Sequence, residues 1–334
     1  MNQRQSALSS RERLHAAMNG LEMDRLPVSL WRHFPEEDQT AEGLAGATLR
    51  WQDQFEFDFI KFMPPGDYPT IDWGAESRYE GSPGGTRTTT AVPFNSAEDW
   101  KRLTSVDVET GFNRTMLDAV RDTRQRLDPD VPLLQTIFAP LTIAMKLSNG
   151  QAIQHLHAHP DLMAEALVTI ANVTRAMLKR SMEHGADGVF FATQCADESI
   201  MPEQEYRQLA LPFDLQVLAA LPPDAFLMVH LHGAKPFLGL SDALPPGMLN
   251  WHDRRFGPPL QEIQSQTGRC VAGGINEQSI VTDDAETVSA GVVVAIELNG
   301  SRSVVVSPGC VVPINTPEET VAAAVDAVKT WARA

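Results

Sequence analysis

Three side chains in the second half of the chain are of types that hold a transition metal. His230 and His232 stand two residues apart in Val-His-Leu-His-Gly, at the end of an apolar run that reads as a strand. Residues two apart on a strand point to the same side, so both imidazoles can face one point. Cys310 follows another such run, in Ser-Pro-Gly-Cys. Two imidazoles, one thiolate and an open position make up a catalytic zinc set. A His-x-His pair also serves without metal, as hydrogen-bonded or substrate-contacting histidines, and the pair alone leaves both roles open. About 80 residues separate His230 from Cys310, so only a fold that gathers distant strand ends brings them together.

Supporting candidates follow from the same logic. Gln194, Cys195 and Glu198 come after the apolar run Gly188–Thr193; Gln194 suits substrate, and Glu198 is either a further ligand or proton shuttle or a solvated loop carboxylate. Asp253, in Trp251-His252-Asp253, is placed to orient a metal-bound histidine as a hydrogen-bond acceptor. Asn276, after Gly273-Gly274, is a candidate for a hydrogen bond to substrate. Trp31, Arg32, His33 and Phe34 form a cationic and aromatic cluster in the first part of the chain. It suits an anionic or aromatic group, with Arg32 able to grip a carboxylate bidentately, or equally a loop packed over the site. Cys195 reads as a small packed residue and Cys270 as core. His155, His157 and His159 alternate at a spacing that does not converge on one helix face, and they read as surface residues.

These residues need elements to position them. Ser10 begins a helix to about Met18, Leu26–Trp31 reads as a strand, Glu42–Gln54 as a helix and Phe57–Phe62 as a strand. A Gly/Thr-rich stretch over 74–92 has the character of a hairpin. Leu133–Phe138, Gly188–Thr193 and Phe226–Leu231 read as strands, with helices over Leu162–His184, Glu203–Leu218 and from Lys235. Gly247–Asn250, Cys270–Ala272 and Val304–Ser307 are further short strands, and Pro317–Arg333 is a closing helix. Strands alternating with helices give a parallel sheet. About eight such units suit a single-domain (β/α)8 TIM barrel spanning the chain, with its site on the rim at the C-terminal strand ends. No glycine-rich phosphate-binding fingerprint follows a strand, which argues against a nucleotide-binding open sheet.

With 43% hydrophobic and 21% charged residues the 334-residue chain has an ordinary globular composition. Its net charge of −16 opposes binding to nucleic acid or to an anionic membrane surface. Apolar stretches such as Gly291–Leu298 are too short to span a bilayer. Residues Met1–Arg13 contain no apolar run of signal-peptide type, and the three cysteines are sparse; both point to a reduced, cytoplasmic setting.

Several landmarks resemble the uroporphyrinogen decarboxylase/cobalamin-dependent methyltransferase superfamily. They are Arg11-Glu-Arg13 leading to Asp24-Arg-Leu-Pro-Val28, Asp58-Phe-Ile-Lys61 followed by Asp72-Trp-Gly74, Phe138-Ala-Pro-Leu-Thr142, His184-Gly-Ala-Asp-Gly188, His230-x-His232-Gly, Gly273-Gly-Ile-Asn276, and Gly309-Cys310-x-x-Pro313 before Thr316-Pro-Glu-Glu319. They occur in the expected order over essentially the whole chain.

The resemblance implies one of two chemistries. Uroporphyrinogen decarboxylases carry an Arg-Gln-Ala-Gly-Arg motif and an aspartate shortly after the second strand. Here the corresponding stretches are Trp31-Arg-His-Phe-Pro35 and Met63-Pro-Pro65, with one arginine and no carboxylate. The methyltransferase branch uses His-x-Cys and a later Cys to hold zinc, which binds a thiol. His230 and Cys310 match that pattern, and His232 replaces the middle cysteine. One thiolate with two neutral imidazoles leaves the Zn²⁺ centre at net +1, a stronger Lewis acid than a two-thiolate site.

The resemblance therefore implies a zinc-dependent methyl (alkyl) transferase that moves a methyl group between a small methyl donor or thiol and a carrier. The carrier is a corrinoid on a separate protein, since no Asp-x-His-x-x-Gly motif is present, or tetrahydrofolate. It also suggests a homodimer. Two alternatives stay open at this point: a metal-free lyase or decarboxylase using His230, His232 and Arg32, and a non-catalytic corrinoid- or tetrapyrrole-binding protein.

Overall fold

The computed structural model describes residues 7–331. Seven parallel strands form one curled sheet: β1 (Ile60–Phe62), β4 (Leu133–Phe138), β5 (Gly188–Thr193), β6 (Phe226–Leu231), β7 (Met248–Asn250), β8 (Val271–Ile275) and β9 (Val304–Pro308), adjacent in that order. The remaining two strands, β2 (Glu76–Tyr79) and β3 (Arg87–Ala91), pair as the antiparallel hairpin expected over 74–92. Every residue of β4, β5 and β6 is buried, because a parallel sheet has both faces covered and its strands read as continuous apolar runs. Among the described residues no helix is long and apolar enough to cross a membrane.

Most elements stand close to where the residues place them, and β4, β5 and β6 coincide with the expected spans. Three differ. The expected strand Leu26–Trp31 is reduced to one parallel bridge, Val28 to Val306; Pro27 has no N–H to give a ladder. The expected helix Glu203–Leu218 is two helices, Glu203–Leu209 and Leu211–Leu218, because Pro212 sits in the first turn of the second. Between Lys235 and β7 the helical segment is only the short Leu238–Asp242, of 3-10 type. The closing helix runs Glu318–Trp331, and its expected end at Arg333 lies outside the described residues.

His155 also departs from its surface reading. It is buried, with the Trp100 indole N–H donating to its Nδ1 at 3.0 Å. His157 and His159 are exposed, as expected.

The two edges of the curled sheet are drawn together around Asp58. Segment 27–29 bonds to β9 through Ser29 N to Val306 O (3.1 Å) and Val306 N to Pro27 O (2.9 Å). On its other side the Asp58 amide donates to Val28 O (2.9 Å), while the Asp58 carboxylate accepts from Val28 N at 2.8 Å. The same carboxylate accepts from Arg13 at 2.6 Å and from Arg25 at 2.6 and 2.8 Å, and it is 1% exposed. Removing one partner of a buried ionic cluster costs about 3–5 kcal/mol, because the remaining charges are left uncompensated. Asp58→Asn should therefore lower the unfolding free energy by about that amount in urea titration, with an unchanged dependence on denaturant concentration.

Candidate metal centre

The site is built by one offset repeated on neighbouring strands. His230 in β6 stands in register with Asn250 in β7. Residues two positions further, His232 and His252, therefore come side by side just beyond the strand ends, with ring centroids 4.8 Å apart. On the next pair, Ile275 of β8 is in register with Pro308 of β9, and two positions further are Glu277 and Cys310. A single alternation rule thus turns five of these side chains toward one point at the C-terminal end of the sheet. Close backbone approach assists: a Cβ on Gly309 would lie 2.6 Å from Trp251 O and 2.8 Å from His252 Cα, so glycine is needed to bring Cys310 against β7.

His230, His232, His252 and Cys310 present nitrogen and sulfur atoms that all lie within 4.8 Å of one another. His230 Nε2 is 3.4 Å from His232 Nδ1, His252 Nε2 is 3.1 Å from it, and Cys310 Sγ is 3.9 Å from it. The hydrogen-bond network assigns the tautomers. Asn250 donates both its amide protons, to Ala272 O at 2.9 Å and Pro308 O at 3.1 Å, so its carbonyl faces His230 Nδ1 at 2.7 Å. His230 must then donate from Nδ1 and leave Nε2 bare. The Glu277 carboxylate, 1% exposed, accepts from His252 Nδ1 at 2.6 Å, which turns His252 Nε2 inward. This carboxylate–histidine arrangement is the common support of a metal-binding imidazole.

Protons are too few to satisfy the centre. His232 Nδ1 carries at most one, and it faces two bare imidazole nitrogens and a sulfur. Extra protonation is opposed by the surroundings. Burial, followed by the neighbouring His232 and His252, holds His230 well below its ordinary range. Burial and His252 lower His232 to about 4. Burial raises the Cys310 thiol to about 11, partly offset by Lys61. Converging imidazole lone pairs in a place where burial opposes further protons on nitrogen fit a divalent cation, which would displace the proton of the Cys310 thiol; the three-imidazole, one-thiolate donor set suits zinc. The centre opens on a cavity of about 260 Å³ walled by Trp31, Phe138, Phe190 and Lys61 among others.

The sequence candidates divide accordingly. His230, His232 and Cys310 meet in the cluster; Gln194, Trp31 and His33 line the cavity beside it. The structure does not bring the others there. Glu198 is exposed and pairs with Lys235 at 3.0 Å. Asp253 does not orient a histidine: its carboxylate accepts from Gly274 N at 3.1 and 3.3 Å, and Glu277 does that work. Asn276 caps the turn at Gln278 and Ser279. Arg32 lies over Trp51, 4.4 Å from the ring centroid, and donates to Ile314 O at 2.8 Å, while Phe34 packs edge-on against Trp51 with centroids 6.5 Å apart. His252, Asn250 and Glu277 complete the site beyond the residues the sequence motifs mark. The signal was present, since Asn250-x-His252 repeats the spacing of His230-x-His232 one strand later.

The uroporphyrinogen decarboxylase (URO-D) family pattern matches residues 9–331. The chain belongs to this family. Its relatives include a methylcobamide:CoM methyltransferase of Methanosarcina mazei, 22% identical over 137 residues, which are 41% of this chain and 40% of that protein. A uroporphyrinogen decarboxylase of Coxiella burnetii is 29% identical over 134 residues, 38% of this chain and 36% of that one. These matches thus span well under half of the curated relatives' lengths. Among solved structures, a methyltransferase from Methanosarcina mazei superposes with a TM-score of 0.83 at 20% identity, covering 97% of this chain and 99% of that one. A B12-independent methionine synthase from a Shewanella species gives 0.59 at 12% identity, covering 92% and 98%. At these identities the superpositions establish a shared fold.

Thiol chemistry separates the three cysteines of this family member. Cys195 and Cys270 are each 2% exposed, and burial pushes the Cys195 thiol to about 12. Cys310 is the half-buried one, opening on the cavity. Iodoacetamide applied to native, chelator-treated protein should alkylate Cys310 before the others, as read by peptide mass mapping, and faster as pH rises toward 11. Modification of Cys195 or Cys270 ahead of Cys310 would contradict this placement.

Proposed function

We propose that this chain is a zinc-dependent methyltransferase, moving a methyl group between a small donor or thiol and a separate carrier. The observation that carries the reading is the cluster of inward-facing lone pairs on His230, His232 and His252 beside Cys310, with Asn250 and Glu277 holding two of the imidazole protons on the outer nitrogens. Zinc held at this cluster, with one of the four residues giving up its position to substrate, would act as a Lewis acid and lower the pKa of a bound thiol. The chain's own residues do the rest. Asn250 and Glu277 fix the ring orientations; Phe190, stacked on His230 with centroids 5.4 Å apart, keeps water from that ring; Trp31 and Phe138 supply an apolar wall for the transferred carbon. The methylcobamide named for the Methanosarcina mazei relative makes a corrinoid protein the favoured carrier, with tetrahydrofolate as the other choice. We read segment 27–29 as the eighth stave of a closed (β/α)8 barrel, and the setting as cytoplasmic.

The alternatives are less well supported. The metal-free lyase drawn on Arg32 loses that residue as its anion clamp, since Arg32 lies over Trp51 and donates to Ile314 O, and it leaves the converging imidazole lone pairs without a role. A porphyrinogen needs more room: about 260 Å³ falls below the roughly 300–1,000 Å³ that encloses drug-sized ligands. The same limit weighs against a tetrapyrrole-binding role.

Metal content by plasma mass spectrometry tests the reading on untagged protein and on His252→Ala and Cys310→Ser. Near-stoichiometric zinc in the wild type should fall in both variants. Glu277→Gln should keep the zinc but bind it about 10–100-fold more weakly in chelator competition, the range expected for losing an outer hydrogen-bond partner. A wild type that takes up no metal even after zinc reconstitution would sink the mechanism.

A further inference from the structure

The cavity wall facing the histidines carries positive charge, and no Asp or Glu lines the cavity among the described residues. Lys61, the middle residue of β1, is 7% exposed, and its Nζ lies 4.3 Å from the Phe190 ring centroid and 5.7 Å from that of Trp31. Lys146, in the helix Pro140–Leu147, lines the same cavity with its Nζ 5.3 Å from the Phe138 centroid. Among the described residues neither ammonium forms an ion pair; the one polar neighbour of Lys61 is the Met63 thioether at 2.5 Å. Contact with an aromatic face repays only part of what desolvating an unpaired ion costs. Burial accordingly lowers Lys61 to about 7, with Cys310 acting in the opposite sense, and lowers Lys146 too.

Two neutral groups on this wall are also unsatisfied. Trp31 Nε1, on a residue 2% exposed, and His33 Nδ1, on one 8% exposed, are buried with no hydrogen-bond partner, and both residues line the cavity. The indole N–H can only donate. Asp67, whose Oδ1 is buried without a partner, acts on Lys146 from outside the cavity, but neither ammonium has a carboxylate in contact; with a spare donor beside them and no acidic side chain lining the space, they suit an acceptor that brings negative charge. The rings of Trp31, Phe138 and Phe190 leave an apolar span between this wall and the metal cluster.

Resting on the methyltransferase reading, we propose that the small molecule bound here carries a carboxylate. Lys61 and Lys146 receive the carboxylate, Trp31 Nε1 is the neutral donor at hand, and the thiol or methyl-bearing end reaches His232 and Cys310. Such a site discriminates against an analogue that lacks the charged group, because buried Lys61 and half-buried Lys146 would then have no anionic partner in the cavity. Both lysines act by binding and placing substrate, with no bond made or broken on them.

Titration calorimetry on zinc-loaded protein with 3-mercaptopropionate and 3-mercaptopropanol tests this directly. The acid should bind at least tenfold more tightly than the alcohol. The double variant Lys61→Met, Lys146→Met, which keeps the aliphatic bulk and removes the charges, should bring the two affinities together with zinc content unchanged. Propionate, which has no thiol, should raise the melting temperature of metal-free wild type and not of the double variant. Equal affinities for acid and alcohol in the wild type, or no stabilisation by propionate, would overturn the inference without recourse to any variant. Selectivity for the acid in a protein that holds no zinc would instead overturn the methyltransferase reading and leave the carboxylate site standing.

Discussion

The arrangement at the strand ends depends on one fully buried amide. Asn250 has no freedom in how it faces: its two N–H groups are taken by Ala272 O on β8 and Pro308 O on β9, leaving its carbonyl for His230 on β6. Four adjacent strands are thereby tied at one level, and the imidazole proton of His230 is held on Nδ1. If the amide were replaced by an apolar group, two backbone carbonyls and a ring nitrogen would lose partners in a place with no access to water, each at about 1–3 kcal/mol. The site and the integrity of the rim therefore rest on the same side chain.

The consequence is a centre that is polar only toward one point. Outside it lie the stacked ring of Phe190, the carboxylate of Glu277 and the close-packed glycine at 309. His252 joins His230, His232 and Cys310 from the neighbouring strand, so the donor set has four members. The resulting set has one sulfur and three nitrogens, so a bound divalent ion keeps a net positive charge. That favours holding an anionic ligand over releasing a reactive one, and it gives the two lysines of the opposite wall a counterpart at the other end of a short substrate.

The parts of this picture that were legible from the residues are those set by local pattern. The short, mainly apolar runs of β4, β5 and β6 mark strands to the residue, and His230-x-His232 at the end of one of them marks the site. What was not legible depends on register. Asn250 and His252 matter because β7 starts where it does relative to β6, and β7 is only three residues long. Glu277 reaches His252 across the ends of two strands, which no spacing in the chain reveals, so the nearer Asp253 was the natural but wrong choice of partner. Arg32 follows Trp31 in the chain yet faces the opposite way, since neighbours in an extended segment alternate sides; the cavity's cations turned out to be Lys61 and Lys146, which carry no motif.

The central claim is that four side chains from three strand ends surround one metal ion. Anomalous diffraction collected on both sides of the zinc absorption edge, from crystals of reconstituted protein, tests it most directly. The account predicts a single strong peak bounded by His230 Nε2, His232 Nδ1, His252 Nε2 and Cys310 Sγ. A featureless map at that position, with the three imidazoles hydrogen-bonded to one another or to water, would contradict it.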